Sequence, residues 1–314
     1  MRRPALRRIT GATLIALSGA ACAGDDATPF GVLGQSAAAR QDAGPPGSIA
    51  FHSDRAGNRE IFLMSPGGAD PVRLTNDPAA DYYPSISPNG RYVVFTSTRA
   101  GAADIFLLDI SGGSPINLTN TPGAAEDWAR FSPNGHLVAF HSNRTGNNEI
   151  FVLDLRDGSL AQVTSYAGTD MWAEWSPDGH RLSFRRDMDV YTIDLRDGVI
   201  TRLTNLPTTL DQMAAWSPDG QRLAFMSFRE GYCSVFLMDA DGSNPVNLTP
   251  KDPVDTNSAW CSRAPSWTRN GRILFMSFRP ATGGDIEVFG MNADGSDLTR
   301  LTISPGEDGG PTAR

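Results

Sequence analysis

The chain has 314 residues, of which 35 are acidic and 27 basic, so its net charge is −8 at pH 7. This acidic balance argues against a nucleic-acid partner, because phosphates are bound by basic surfaces. It also argues against electrostatic binding to anionic lipid, so the only membrane contact we expect is through an N-terminal anchor.

The N-terminus, residues 1–21, is typical of an export signal. Four arginines precede the apolar run Ile9–Ala21, which is too short for a permanent membrane span. The run ends in Gly19-Ala-Ala-Cys22, which resembles a bacterial lipobox with Gly19 where Leu is usual. Cys22 is therefore a candidate for lipidation, and an ordinary signal peptide is the alternative. Either way, we expect export to the periplasm or cell surface, and lipidation would make the chain an outer-membrane lipoprotein.

Residues 22–46 are rich in Ala, Gly, Asp and Pro and poor in large apolar groups. Such a segment cannot bury enough surface to order itself. If Cys22 is acylated, the segment is a tether with a root-mean-square reach of roughly 25–30 Å. The alternative is a disordered N-terminus without a mechanical role.

Residues 47–314 repeat one unit about every 40–50 residues. Two markers recur in step, a Leu-Thr pair and a Ser-Pro-Asn/Asp-Gly turn. This period, with only short strands inside it, indicates a solenoid or a propeller. The pairs begin at Leu74, Leu118, Val163, Leu203, Leu248 and Leu301, and the turns begin at Ser87, Ser132, Ser176, Ser217 and, with changed residues, Thr268.

The fifth unit shows the strands most clearly. Its predicted strands are Asp211–Trp216, Arg222–Ser227, Val235–Met238 and Val246–Thr249, separated by Gly, Pro, Asn and Asp turns. Four short antiparallel strands make one propeller blade. The second and third strands are apolar on both faces, as a blade buried between two neighbours requires.

The two ends of the repeat complement each other. The first unit starts at Ser48–Phe51, which already corresponds to a second strand, and the C-terminal stretch Glu307–Arg314 aligns with the lead into a first strand at Asp81–Ile86. The sequence therefore predicts an all-β, six-bladed propeller of four-stranded antiparallel blades. Its C-terminal strand completes the first blade and closes the ring.

The repeated pattern resembles a known family. The repeat reads Asp-x-x-Pro-x-Trp-Ser-Pro-Asp-Gly, then Leu-Ala-Phe-x-Ser-x-Arg, then Asp-Ile-Phe-x-x-Asp, then Leu-Thr. Over residues 47–314 this pattern is similar to the TolB-type propeller repeat, a relative of WD repeats. The resemblance implies a periplasmic propeller that docks onto a lipoprotein. It covers the propeller portion only, because TolB has an additional N-terminal α/β domain. Similar propellers also accompany the hydrolase domain of prolyl-oligopeptidase-like enzymes, a domain that we do not find here.

One acidic residue precedes each inner strand, which lines the central channel. An all-oxygen ring there would suit Ca²⁺ or Mg²⁺, or a cationic ligand group. Each second strand ends in an arginine on the same face, so ion pairs that tie adjacent blades together are the favoured interpretation. The acids are Asp81, Glu126, Asp170, Asp211 and Asp308, with Ser262 in the sixth unit and Asp255 nearby, and the arginines are Arg55, Arg99, Arg144, Arg186, Arg229 and Arg279.

Two residues beyond the acids lie Tyr83, Trp128 and Trp172, whereas the other three units have Met213, Ala264 and Gly310 there. Ring closure does not need this asymmetry, and Tyr and Trp are enriched at recognition surfaces. One hypothesis is a docking patch for a peptide, a protein or a sugar, and the other is partial burial against neighbouring loops.

Cys233 and Cys261 lie in loops that emerge on the same face. In an oxidising compartment they are predicted to form a disulfide, with two free thiols as the alternative. His52 and His141 occupy equivalent positions two blades apart, and we assign them no role.

We therefore expect an exported, monomeric binding module that uses its loop face and channel mouth to hold a protein or peptide in the cell envelope, or a glycan. No cofactor is expected apart from possible Ca²⁺. The alternatives are a lyase or hydrolase acting on a polysaccharide or peptide, and a structural scaffold. Catalysis is disfavoured because only four scattered histidines and no recurrent nucleophile–base pair are present.

Overall fold

The computed structural model describes residues 47–251, 261–278 and 285–313, where the regular elements are all β-strands. The expected signal and tether segments, Cys22, Asp255 and Arg279 lie outside these residues. No helix in the described ranges is long and apolar enough to cross a membrane.

The strands form six antiparallel four-stranded sheets, which we call blades 1 to 6. Blade 1 contains β1 (Ile49–Ser53), β2 (Glu60–Met64), β3 (Val72–Arg73) and, innermost, β24 (Asp308–Ala313). Blade 2 contains β4 (Asp81–Ile86), β5 (Tyr92–Ala100), β6 (Ala102–Asp109) and β7 (Ile116–Asn117), and blade 3 contains β8 (Glu126–Phe131), β9 (Leu137–Ser142), β10 (Glu149–Asp154) and β11 (Leu160–Gln162). Blade 4 contains β12 (Asp170–Trp175), β13 (Arg181–Arg186), β14 (Asp189–Asp194) and β15 (Ile200–Arg202). Blade 5 contains β16 (Asp211–Trp216), β17 (Arg222–Ser227), β18 (Ser234–Asp239) and β19 (Val246–Asn247), and blade 6 contains β20 (Cys261–Trp267), β21 (Arg272–Phe278), β22 (Ile286–Asn292) and β23 (Thr299–Arg300).

The C-terminal strand closes the ring. β24 pairs with β1 in an antiparallel register that sets Ile49 opposite Ala313 and Ser53 opposite Asp308. The inner edge of β1 is thereby hydrogen-bonded instead of being left open. The predicted six-bladed propeller and its closing strand are confirmed.

The hydrophobic core lies between the blades. Val94 and Ile105 of blade 2, for example, pack with Phe140 and Phe151 of blade 3. Each blade also places one phenylalanine at the centre of its second strand with at most 1% of its surface exposed. Because both faces of every blade are buried in this way, both faces of its second and third strands must be apolar. These phenylalanines are Phe51, Phe95, Phe140, Phe184, Phe225 and Phe275.

The threonine of the repeated Leu-Thr pair satisfies a backbone group that the short fourth strand leaves unpaired. Thr164 Oγ1 accepts the N–H of Ile150 at 2.9 Å and donates to the buried carboxylate of Glu149 at 2.7 Å. All six blades repeat the first of these bonds at 2.9–3.0 Å, through Thr75, Thr119, Thr164, Thr204, Thr249 and Thr302. The motif therefore recurs because each blade needs the hydroxyl at this point.

We predict that Thr164→Val lowers the free energy of unfolding by about 1–3 kcal/mol, because it leaves the Ile150 N–H and the Glu149 carboxylate without this partner. Denaturant titration measures the change. Thr201→Val, at an exposed position of β15, is the matched control and should change the free energy of unfolding by less than about 0.5 kcal/mol. Equal effects of the two substitutions would contradict the role of the hydroxyl.

Candidate functional site at the mouths of the central channel

The central channel has two different ends. The inner strands begin at the face that carries the acidic residues and the ends of the second and fourth strands, which we call the loop face. They end at the Ser-Pro-Asn/Asp-Gly turns, which we call the turn face. β1 runs in the opposite direction to its inner strand β24, so Gly47 just before it lies at the turn face, beside Pro66.

The acidic residues on the loop face are fully buried and paired. Each carboxylate accepts a hydrogen bond from the arginine at or just beyond the end of the second strand of its own blade, and the inner and second strands are hydrogen-bonded neighbours. The predicted ion pairs thus form, but the expectation that they tie adjacent blades together is wrong. The distances are 2.5 Å for Asp308–Arg55, 2.6 Å for Asp81–Arg99, 3.1 Å for Glu126–Arg144, 2.6 Å for Asp170–Arg186 and 2.9 Å for Asp211–Arg229.

Burial and ion pairing act in opposite directions on the pKa values of four of the loop-face acids. Burial raises the pKa of Asp170, and the hydrogen bonds from Arg186 act against that rise. In Asp81, Glu126 and Asp211 too, burial raises the pKa of the carboxyl and hydrogen bonds act against that rise. In blade 6 the hydroxyls of Ser262 and Ser277, 2.8 Å apart, occupy the equivalent place.

The loop-face acids do not fit a Ca²⁺ site. Their carboxylates face arginines of their own blades, and a cation there would have to displace those arginines. Among the described residues, no group of three or more His, Cys, Asp or Glu side chains is close enough to hold a metal ion.

Each inner strand carries a left-handed residue two positions beyond the acid. The φ angles lie between 51° and 59°, and the strand register shifts at or next to these residues, which marks a β-bulge. Side chains from blades 2 to 6 at these positions meet on the channel axis, together with Met226 and Met276, and form a hydrophobic plug. The left-handed residues are Tyr83, Trp128, Trp172, Met213, Ala264 and Gly310.

The three aromatic residues of the plug differ in accessibility. Trp128 is only 1% exposed and packs against Tyr83, with ring centroids 4.8 Å apart, and against the guanidinium of Arg130 at 4.1 Å. Tyr83 and Trp172 are partly exposed. The plug therefore offers the side chains of Tyr83 and Trp172 to a ligand, whereas Trp128 is buried within it and packs against Tyr83.

Cys233 and Cys261 form a disulfide at the edge of the plug, with their Cα atoms 4.4 Å apart. It joins the start of β18 in blade 5 to the start of β20 in blade 6. Both cysteines pack into the same hydrophobic cluster as Met213. The disulfide therefore fixes the side of the plug opposite its aromatic residues.

The channel on the turn-face side of the plug is a cavity of about 350 Å³. Its wall includes an ion pair that we did not predict, in which Arg130 Nε donates to Glu174 Oε1 at 2.5 Å. Burial raises the pKa of Glu174, and Arg130 lowers it. The sequence does carry a signal for this ion pair, because Arg130 and Glu174 break the repeat. The equivalent residues in the other blades are small: Ser85, Ala215, Ser266 and Thr312.

Further titratable groups lie on the inner and second strands of blades 1 and 3. Burial lowers the pKa of His52 and takes that of His141 to about 3, so both imidazoles are neutral at pH 7. Burial also raises the pKa of Asp127 to about 6, although its carboxylate accepts hydrogen bonds from Thr96 Oγ1 at 2.7 Å and from the Trp128 N–H at 2.6 Å.

Comparison with known proteins places this architecture among propellers. The family described as "Dipeptidyl peptidase IV (DPP IV) N-terminal region" matches residues 144–239. No curated protein sequence matches significantly.

Solved structures show the same fold at low identity. TolB from Acinetobacter baumannii superposes with a TM-score of 0.74 and 22% identity, over 85% of this chain and 66% of that one. A putative TolB from Agrobacterium tumefaciens gives 0.65 and 24%, over 85% and 96%. Oligogalacturonate lyase in complex with manganese gives 0.56 and 14%, over 83% and 74%.

These likenesses establish a TolB-type propeller fold, and a lyase is among the structures that share the propeller architecture. The chain spans just under two thirds of the Acinetobacter TolB structure.

The raised pKa of Asp127 predicts a pH-dependent stability. The folded state retains the proton at a pH where the unfolded carboxyl has lost it, so this group contributes less stability as pH rises from about 4 to about 6. Asp127→Asn removes the contribution. The difference in free energy of unfolding between Asp127→Asn and wild type should therefore shift in favour of the variant by roughly 1–3 kcal/mol when the pH is raised from 4 to 7.

Denaturant titrations at several pH values measure this difference. Asp157→Asn, on an exposed hairpin, is the control and should follow the wild-type profile. Parallel profiles for wild type and Asp127→Asn would contradict the assignment.

Proposed function

We propose that this chain is an exported cell-envelope binding module that holds a segment of a protein partner at the loop-face mouth of its channel. The observation that carries the proposal is the plug, which presents Tyr83 and Trp172 partly exposed on a rigid, buried support. Tyr and Trp are also the residues enriched where binding energy concentrates.

The position of the N-terminal segment supports the loop face as the binding face. Gly47 lies at the turn face, so a tether that ends at this residue leaves from that side. If lipid on Cys22 anchors the chain, the loop face is free to point away from the membrane. The likeness to TolB structures is consistent with a module that binds proteins.

The lyase alternative has less support from the site. The imidazoles of His52 and His141 are almost completely buried, 1% and 3% exposed. Burial lowers the pKa of both, which makes them poor proton carriers near neutral pH.

We predict that Trp172→Ala reduces capture of the partner at least tenfold, because truncation of a central aromatic residue typically costs 2 kcal/mol or more of binding energy. The measurement is affinity capture from the host cell envelope, followed by titration of the purified partner. Phe228→Ala removes a 40%-exposed aromatic residue of the same face that is not part of the plug, and it should leave binding unchanged. Equal binding by Trp172→Ala and wild type would remove the support for this site.

We predict that the full-length chain, expressed in its host, incorporates labelled palmitate, because the lipobox-like sequence before Cys22 directs acylation of that thiol. Cys22→Ser should abolish the label and release the protein from the membrane fraction. An unlabelled wild-type protein of processed size would favour the ordinary signal peptide instead.

A further inference from the structure

Arg185 breaks the pattern of the six blades. It lies on β13 opposite Met171, and the register positions that correspond to it in the other blades hold no residue that is charged at neutral pH. The corresponding residues are His52, Thr96, His141, Met226 and Met276. A guanidinium is therefore not needed at this position to build a blade.

The guanidinium of Arg185 has only weak partners. No carboxylate in the described part of the chain lies within ion-pair distance, and its buried Nε has no hydrogen-bond acceptor. Its terminal nitrogens reach Gln212 Oε1 and Thr169 Oγ1 only at 3.4 and 3.5 Å. The adjacent Arg186, by contrast, donates to Asp170 through two nitrogens at 2.8 and 2.6 Å.

A partly buried guanidinium without a close hydrogen-bond acceptor lowers the stability of the folded protein. Burial lowers the pKa of Arg185, and only the more distant charge of Asp187 acts in the opposite direction. A buried charge without a partner destabilises the folded protein. An anionic ligand would offset this cost by supplying the missing acceptor.

Arg185 is placed where a ligand at the loop-face mouth can reach it. Its guanidinium stacks on the indole of Trp172 at 4.4 Å, and both side chains are partly exposed. The stack holds the planar guanidinium in one orientation, so its row of N–H donors is preorganised.

The site has the chemistry of a carboxylate receptor. A guanidinium donates two parallel hydrogen bonds to a carboxylate, and its single positive charge neutralises a monoanion. A phosphate with nearly two charges would need further cations, yet the neighbouring Arg186 is already paired with Asp170.

We infer that Arg185 forms a subsite for the carboxylate of an acidic peptide segment, which lies across Trp172 at the loop-face mouth. The inference rests on the proposed function and names the chemistry of its ligand. A peptide fits better than an acidic sugar, because Met171 lies against Arg185 and the partly exposed Leu210 belongs to the plug, so that part of the surroundings is apolar. Sugar hydroxyls buried there would lose hydrogen bonds to water without replacement.

The probes are acetyl-Gly-Glu-Gly-amide, its neutral glutamine analogue and galacturonate. The full mature protein, labelled with ¹⁵N, is titrated while the Arg185 Nε–H and Trp172 indole N–H signals are followed by NMR. Arg185→Met and Trp172→Ala assign the two signals. We expect the glutamate peptide to shift both signals saturably, and the glutamine analogue to bind at least about tenfold more weakly.

Arg185→Met should fold normally, because methionine occupies the equivalent position in blades 5 and 6. It should lose the preference for glutamate over glutamine at the Trp172 indole signal. Arg196→Met removes one positive charge from an exposed turn-face hairpin and should keep the preference. Equal responses to the two peptides in wild type, or an unchanged preference in Arg185→Met, would overturn the inference. Tighter binding of galacturonate than of the glutamate peptide would overturn the peptide as the source of the carboxylate.

The two proposals fail separately. If Trp172→Ala loses the protein partner and Arg185→Met retains it at wild-type affinity, the binding module stands and the carboxylate subsite falls. If both variants retain the partner, both proposals fall.

Discussion

The buried ion pair at the start of each inner strand is the constraint on which the rest of the channel depends. In five blades a fully buried carboxylate is held by an arginine of the same blade, as Asp170 is by Arg186. A buried carboxylate is stable only with such partners, so the first residue of the inner strand is fixed in position. The bulge two residues later then projects Tyr83, Trp128 and Trp172 towards the axis, and the plug forms where they meet.

The plug makes the two ends of the channel chemically different. On the loop face it presents Tyr83 and Trp172 beside Arg185. On the turn face it closes a cavity whose wall contains the Arg130–Glu174 ion pair. Because blades 3 and 4 supply most of these groups, the site is asymmetric within a nearly symmetric scaffold. A ring of equivalent blades provides rigidity, and the residues that depart from the repeat provide specificity.

The predictions that the structure confirms are those that follow from the regular repeat of the blades. Leu-Thr recurs because every third strand needs the same hydroxyl acceptor, and arginine recurs beside the acids because the inner strands of blades 1 to 5 share the same ion pair. The prediction about the ion pairs was wrong because it depended on which strand the carboxylate faces. Asp170 was expected to join two blades, yet it pairs within its own, because β12 and β13 are adjacent in one sheet.

The sequence by itself determined the number of blades, their strand order and the C-terminal closure, because these follow from local periodicity and turn chemistry. Only the tertiary structure decided which groups are accessible. Trp128 and Trp172 occupy equivalent positions in the repeat, but one is buried and the other partly exposed. Arg185 and Arg186 are consecutive, but only Arg186 has a carboxylate partner in the described structure. Burial and pairing depend on residues brought together by ring closure, and a single repeat does not encode them.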